Sequence, residues 1–150
     1  MDFFKGFVYA GKGIAHAAAT ERNFRIHLCT AAFVTYFAAR FYELSRAEWA
    51  VLMMAFAAVI CAELFNTSIE RLADKVSPEK DEHIRHCKDC AAGAVLAAAF
   101  FAVVTGFALF MDFRRFAAIA AYFSSAWYRM AGLALAVLAS AAVVFLPKRR

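Results

Sequence analysis

Apolar residues run in long blocks along this chain, and the polar ones gather between the blocks instead of alternating with them. The longest charge-free block, Ala91 to Met111, can cross a bilayer, because about 20 helical residues match roughly 30 Å of hydrocarbon. The blocks from Leu28 to Ala39 and from Trp49 to Ala62 are shorter, a length that also suits a buried helix of a soluble domain. Neither has the polar face that such a helix carries, so their company with the long block assigns them to the membrane. A fourth block, Met130 to Leu146, ends on Pro147 followed by Lys148, Arg149 and Arg150. The pattern predicts four spans in a single domain covering residues 1–150.

Ahead of the first span the period changes. From Phe3 to Ala19, Phe3, Phe4, Phe7, Val8 and Ile14 share one face, while Lys5, Lys12 and His16 fall within about 40° of one another on the other. This describes a helix lying in the membrane interface. A charged lead-in, Thr20 to Leu28, follows, with Glu21 as its only acid. The turn from Glu43 to Glu48 is short enough to make spans one and two antiparallel neighbours, with Trp49 at the outer interface. Span two continues past Glu63 to Asp74 with no Gly or Pro. Ser77-Pro78 is the expected break, Ser as N-cap and Pro at the first helical position, making residues 66–90 a cytoplasmic helical hairpin. The stretch Asp112 to Arg129, rich in Phe and Tyr with Trp127 near its end, reads as interfacial. The fold class is therefore an all-α integral membrane protein, an amphipathic surface helix plus a transmembrane helical bundle.

Composition agrees: 64% of residues are hydrophobic, yet 19% are charged and confined to the segments between spans. With the N-terminus inside, the inner segments hold twelve Lys and Arg and the outer ones five, which places both termini in the cytoplasm. The net charge of +5 sits at membrane borders, where it holds topology and attracts anionic lipid, not nucleic acid. Of the cysteines, Cys29 and Cys61 lie in spans and Cys87 and Cys90 on the reducing side, so no disulfide framework is expected. No apolar core followed by a small-residue cleavage site opens the chain, so no cleaved signal peptide is expected.

The candidate chemistry lies on the inner half of span two. On a helix Glu63, Asn66, Glu70 and Asp74 share an arc of about 80°. Glu70 and Asp74 alone would pass for a solvated face. Glu63 would not, because an ionisable group at the edge of a span is costly and usually functional. There it can meet a lipid hydroxyl from one side and a water-soluble donor from the other. Phosphoryl transfer asks for a base for the hydroxyl proton, a metal across the phosphates and a nearby cation. Mg²⁺ would relieve the repulsion among the carboxylates, and Lys88 and Asp89 stand at the cytoplasmic mouth of span three as candidates for phosphate and nucleoside contacts. No Walker P-loop or kinase Gly-rich signature occurs. The residues alone lead to a membrane protein with an interfacial acidic site.

Three segments carry a resemblance: Glu21-Arg22-Asn23-Phe24-Arg25-Ile26-His27-Leu28, Ala62-Glu63-Leu64-Phe65-Asn66-Thr67-Ser68-Ile69-Glu70-Arg71-Leu72-Ala73-Asp74, and Lys88-Asp89-Cys90-Ala91-Ala92-Gly93-Ala94-Val95. Through them the chain resembles the prokaryotic diacylglycerol kinase and undecaprenol kinase family over about residues 5–111, leaving an extra interfacial segment and fourth span over about 112–147. The resemblance implies an ATP-dependent homotrimer in a bacterial plasma membrane, with a surface helix, three spans per subunit and active sites shared between subunits. By position it implies Glu63 as general base, Asn66 orienting Glu63 or the substrate hydroxyl, and Glu21 and Glu70 holding the metal of Mg-ATP. Lys88 would hold phosphates and Asp89 the nucleoside side, with Tyr9, Glu79 and Asp81 at further nucleotide positions. Ala92 stands on the substrate side where serine is common in the diacylglycerol-using branch, and with Glu21 to Arg25 it leans toward a long polyprenol, undecaprenol, over diacylglycerol. His83, His86, Cys87 and Cys90 share a helix side and could hold zinc, but a closed site there would crowd Lys88 and Asp89. The reading of a different class is a non-catalytic membrane oligomer or an ion path using Glu63.

Overall fold

The computed structural model describes residues 3–76 and 81–145, and among these every regular element is an α-helix. In chain order they are α1 (Phe3–Thr20), α2 (Arg22–Phe41), α3 (Arg46–Val76), α4 (Glu82–Phe110), α5 (Phe113–Ser124) and α6 (Trp127–Phe145). The all-α membrane architecture expected from the hydrophobic blocks is the one observed.

α1 leaves its aromatic face outward, Phe3, Phe4 and Phe7 being exposed, as suits a helix in the interface. Glu21 adopts extended backbone (φ −105°, ψ 116°) between α1 and α2, and this one residue turns the chain. Phe24, fully buried, and Ala17, nearly so, pack on either side of the break.

The first expected span corresponds to α2. Three helices, α3, α4 and α6, are long and apolar enough to cross a membrane, and α2 is not among them. Its 20 residues give about 30 Å of helix, but its opening turns hold Arg22, Asn23, Arg25 and His27. Arg22, Asn23 and Arg25 line a polar pocket and His27 pairs with Glu63, so the apolar part of α2 is short and is supported by its neighbours.

α3 opens with a capping box. Ser45 N donates to Glu48 Oε2 at 2.7 Å and Glu48 N to Ser45 Oγ at 3.3 Å, so the two residues satisfy each other's end groups. Its 31 residues exceed a bilayer's thickness, so the end bearing Asn66 to Asp74 projects past the hydrocarbon. α4 packs against α3 as the most extensive helix pair of the chain. Its cap is Asp81, which accepts from His83 N at 2.8 Å and Ile84 N at 3.2 Å. The start expected at Ser77-Pro78 lies outside the described residues, and the described helix begins at Glu82.

The interfacial stretch after α4 contains α5, capped by Asp112 through Arg114 N and Arg115 N. It is tied to the outer ends of its neighbours: Arg115 Nη1 donates to Phe41 O at 2.7 Å, and Phe123 and Tyr122 meet Phe37 and Phe41 ring to ring. α6 then returns along α2, antiparallel to it, so its last residues arrive beside the first residues of α2. α4 buries only Ala91 and α6 only Val144. Such wide apolar exposure suits lipid or neighbouring subunits, not water.

Candidate active site

The uninterrupted α3 puts Glu63, Asn66, Thr67 and Glu70 on one face, as the helical period requires. Against them the lead-in to α2 sets Glu21, Arg22, Asn23 and Arg25, and the end of α6 sets Val144 and Phe145. These residues line a cavity of about 440 Å³ at the border between the apolar bundle and its charged end.

Glu63 is the most buried charge among the described residues, at 3% exposure. Its Oε1 lies 3.2 Å from His27 Nε2, the contact that satisfies a carboxylate too costly to bury alone. Asn66 Nδ2 donates to Glu70 Oε1 at 3.0 Å. The Oδ1 of Asn66 is buried with no hydrogen-bond partner, and in a polar cavity such an atom asks for a donor from a ligand. Glu21 and Glu70 both lie near enough to interact electrostatically with Glu63. Arg71 gathers the α1 end of the site: its Nη2 donates to Thr20 Oγ1 at 2.8 Å and to Glu21 Oε1 at 3.1 Å, and its Nη1 meets His16 Nε2. Thr20 also donates back to His16 O at 2.9 Å.

Of the residues singled out from sequence, Glu21, Glu63, Asn66 and Glu70 come together here. Lys88 stands apart, its Nζ 2.8 Å from Asp74 Oδ1. That hydrogen bond, reinforced by the negative charges of Asp74, Glu70 and Asp89, holds the Lys88 ammonium above the ordinary lysine range. Glu70 thus connects the two groups electrostatically. Asp81 serves as the cap of α4. Tyr9, Asp89 and Ala92 are exposed and do not line the cavity, and Glu79 lies outside the described residues. No group of three or more His, Cys, Asp or Glu side chains among the described residues is arranged to hold a metal by itself, His83, His86, Cys87 and Cys90 included. Glu21 and Glu70 nevertheless fit magnesium held jointly with phosphates, since that ion keeps water and phosphate ligands and takes only one or two carboxylates from the protein.

His27, Thr67 and Arg71 are the functional neighbours that sequence reasoning passed over. Thr67 could have been found one turn beyond Glu63. His27 and Arg71 could not, because their partners lie on other helices.

The family model described as prokaryotic diacylglycerol kinase matches residues 8–110, so α5 and α6 fall outside it. An undecaprenol kinase of Bacillus subtilis is 37% identical over 109 residues, covering 73% of this chain and 88% of that protein. A diacylglycerol kinase of Synechocystis is 44% identical over 101 residues, covering 67% of this chain and 57% of that protein. No solved structure matches.

Proposed function

This chain belongs to the prokaryotic diacylglycerol kinase family, and we propose that it transfers the γ-phosphoryl group of Mg-ATP to the hydroxyl of a membrane lipid alcohol, undecaprenol in the first place. The observation that carries this reading is the pairing, in one cavity at the membrane border, of a buried carboxylate with an unpartnered amide oxygen: Glu63 and Asn66 Oδ1. A lipid hydroxyl entering there finds an acceptor for its hydrogen bond and a base for its proton.

Glu63 takes the hydroxyl proton, the alcohol oxygen attacks the γ-phosphorus in line, and the bond to the bridging oxygen breaks to release ADP. His27 keeps the Glu63 carboxylate in place and offers the proton a way out afterwards. Asn66, fastened to Glu70, orients the incoming hydroxyl. Arg71 positions Glu21, and Glu21 with Glu70 would hold magnesium, which neutralises charge on the phosphates when bound. Lys88 exchanges Asp74 for phosphate when nucleotide arrives. Since Tyr9 and Asp89 do not reach this cavity in one chain, the nucleotide half is assigned to a neighbouring subunit of a homotrimer in the plasma membrane, with both termini cytoplasmic.

The test is to give purified protein Mg-ATP with undecaprenol, with diacylglycerol and with neither. Phosphorylation of undecaprenol in preference to diacylglycerol is expected. Transfer to neither lipid would overturn the kinase reading, and preference for diacylglycerol would overturn the choice of alcohol.

A further inference from the structure

The cavity around Glu63 does not end at Phe145. Val144 and Phe145 also line a second cavity, of about 490 Å³, which lies between Ile26, Phe33 and Val34 of α2 and Val137 and Ala141 of α6. Phe33 and Ser140 continue into a third, of about 550 Å³, reaching Gly132. From Phe145 to Gly132 the groove follows about 20 Å of helix, roughly two thirds of the hydrocarbon thickness. At its outer end the Arg129 guanidinium lies over the Tyr122 ring at 4.1 Å and donates to Tyr122 O at 3.1 Å.

Gly132, Ala136 and Ser140 recur every fourth residue on α6 and face this groove. Small residues at that spacing ordinarily let two helices close on each other. Here space remains between α6 and α2 along most of their length, walled mainly by apolar side chains, and at one end Val144 and Phe145 separate it from the cavity that holds Glu63 and the bare Asn66 oxygen.

The geometry points to this groove as the binding site for the hydrocarbon chain of the acceptor alcohol, in the same subunit that supplies Glu63, with α6 as the wall that selects for chain length. It rests on the kinase reading above. The occupant follows from the walls that successive cavities share, Val144 and Phe145, then Phe33 and Ser140: a molecule apolar along its length with one hydroxyl at its end matches both the lining and the polar terminus. α6, which lies outside the family match, thereby acquires a role in acceptor recognition.

The test compares undecaprenol with a short two-isoprene prenol as acceptors in wild-type protein and in Ala136→Trp, Ser140→Leu and, on the exposed face of α6, Leu138→Trp. Filling the groove should lower kcat/KM for undecaprenol about tenfold or more, as loss of apolar contact requires, and leave the short prenol within about twofold. Leu138→Trp should change neither. An undecaprenol analogue with a photoreactive group in its chain should label α2 and α6 peptides of wild type and lose that labelling in Ala136→Trp. Equal loss for both prenols, no loss for either, or labelling confined to α3 and α4 would overturn the assignment. A wild-type protein inactive on every alcohol would instead sink the kinase reading beneath it.

Discussion

Glu63 carries a formal charge at nearly complete burial, and that expense is what made it stand out before any partner was known. Its partner was invisible, because His27 sits on a different helix and the 3.2 Å contact exists only after α2 and α3 pack. Asn66 was visible by period, but its division of labour, nitrogen to Glu70 and oxygen to an unmet donor, was not. Glu63→Gln should lower kcat by about 10² to 10⁴, the usual worth of a general base, while ATP binding measured by calorimetry stays within twofold. Undiminished turnover would remove Glu63 from the chemistry. His27→Ala should cost kcat about tenfold with little change in KM for ATP, and His27→Gln, whose amide can still donate to the carboxylate, should recover part of the loss. A His27→Gln variant no better than His27→Ala would mean that packing, not the hydrogen bond, is what matters.

At the scale of the element, a helix start is legible where one side chain does the capping, as at Ser45 and Asp112. The described α4 opens at Asp81, whose carboxylate takes two backbone N–H groups, and the start expected at Ser77-Pro78 lies outside the described residues. The Ser45 and Glu48 box leads to a pH prediction. Hydrogen bonding to the carboxylate from the Ser45 hydroxyl and from the Ser45 backbone N–H holds the Glu48 carboxyl below the ordinary carboxylate range. A depressed acid stabilises the fold above its unfolded pKa of about 4.3, and that contribution fades as pH falls through the lower folded value. Glu48→Gln should therefore reduce the melting temperature at neutral pH by a small amount that shrinks toward pH 3. A difference from wild type that does not change with pH would refute the ionic part of the cap. Periodicity along α2 does not reveal that its first turns line the polar cavity.

At the scale of the molecule, the exposed apolar faces of α4 and α6 and the absence of Asp89 from the lining of the Glu63 cavity on a single chain both bear on assembly. If sites are shared, subunits with different defects can complement one another. Co-assembling Glu63→Gln with Lys88→Met subunits should restore activity above either variant alone, measured as lipid phosphorylation per mole of protein. Recovery absent from mixed assemblies that still bind ATP would place the whole site within one chain.

What the sequence by itself determined was whatever depends on neighbours along the chain: the membrane class, the surface helix, the four apolar blocks, and a carboxylate stripe that helical period alone puts on one face. Hydrophobic burial and the 3.6-residue repeat act locally, so they can be read without coordinates. Only the tertiary structure decided which helices meet. It brought His27 to Glu63, and Arg71 to Glu21 across 50 residues. It gave Lys88 to Asp74, and it laid the end of α6 against the acidic cavity. Such contacts arise from packing between separate helices, and packing between apolar surfaces leaves little trace in the order of residues along either one.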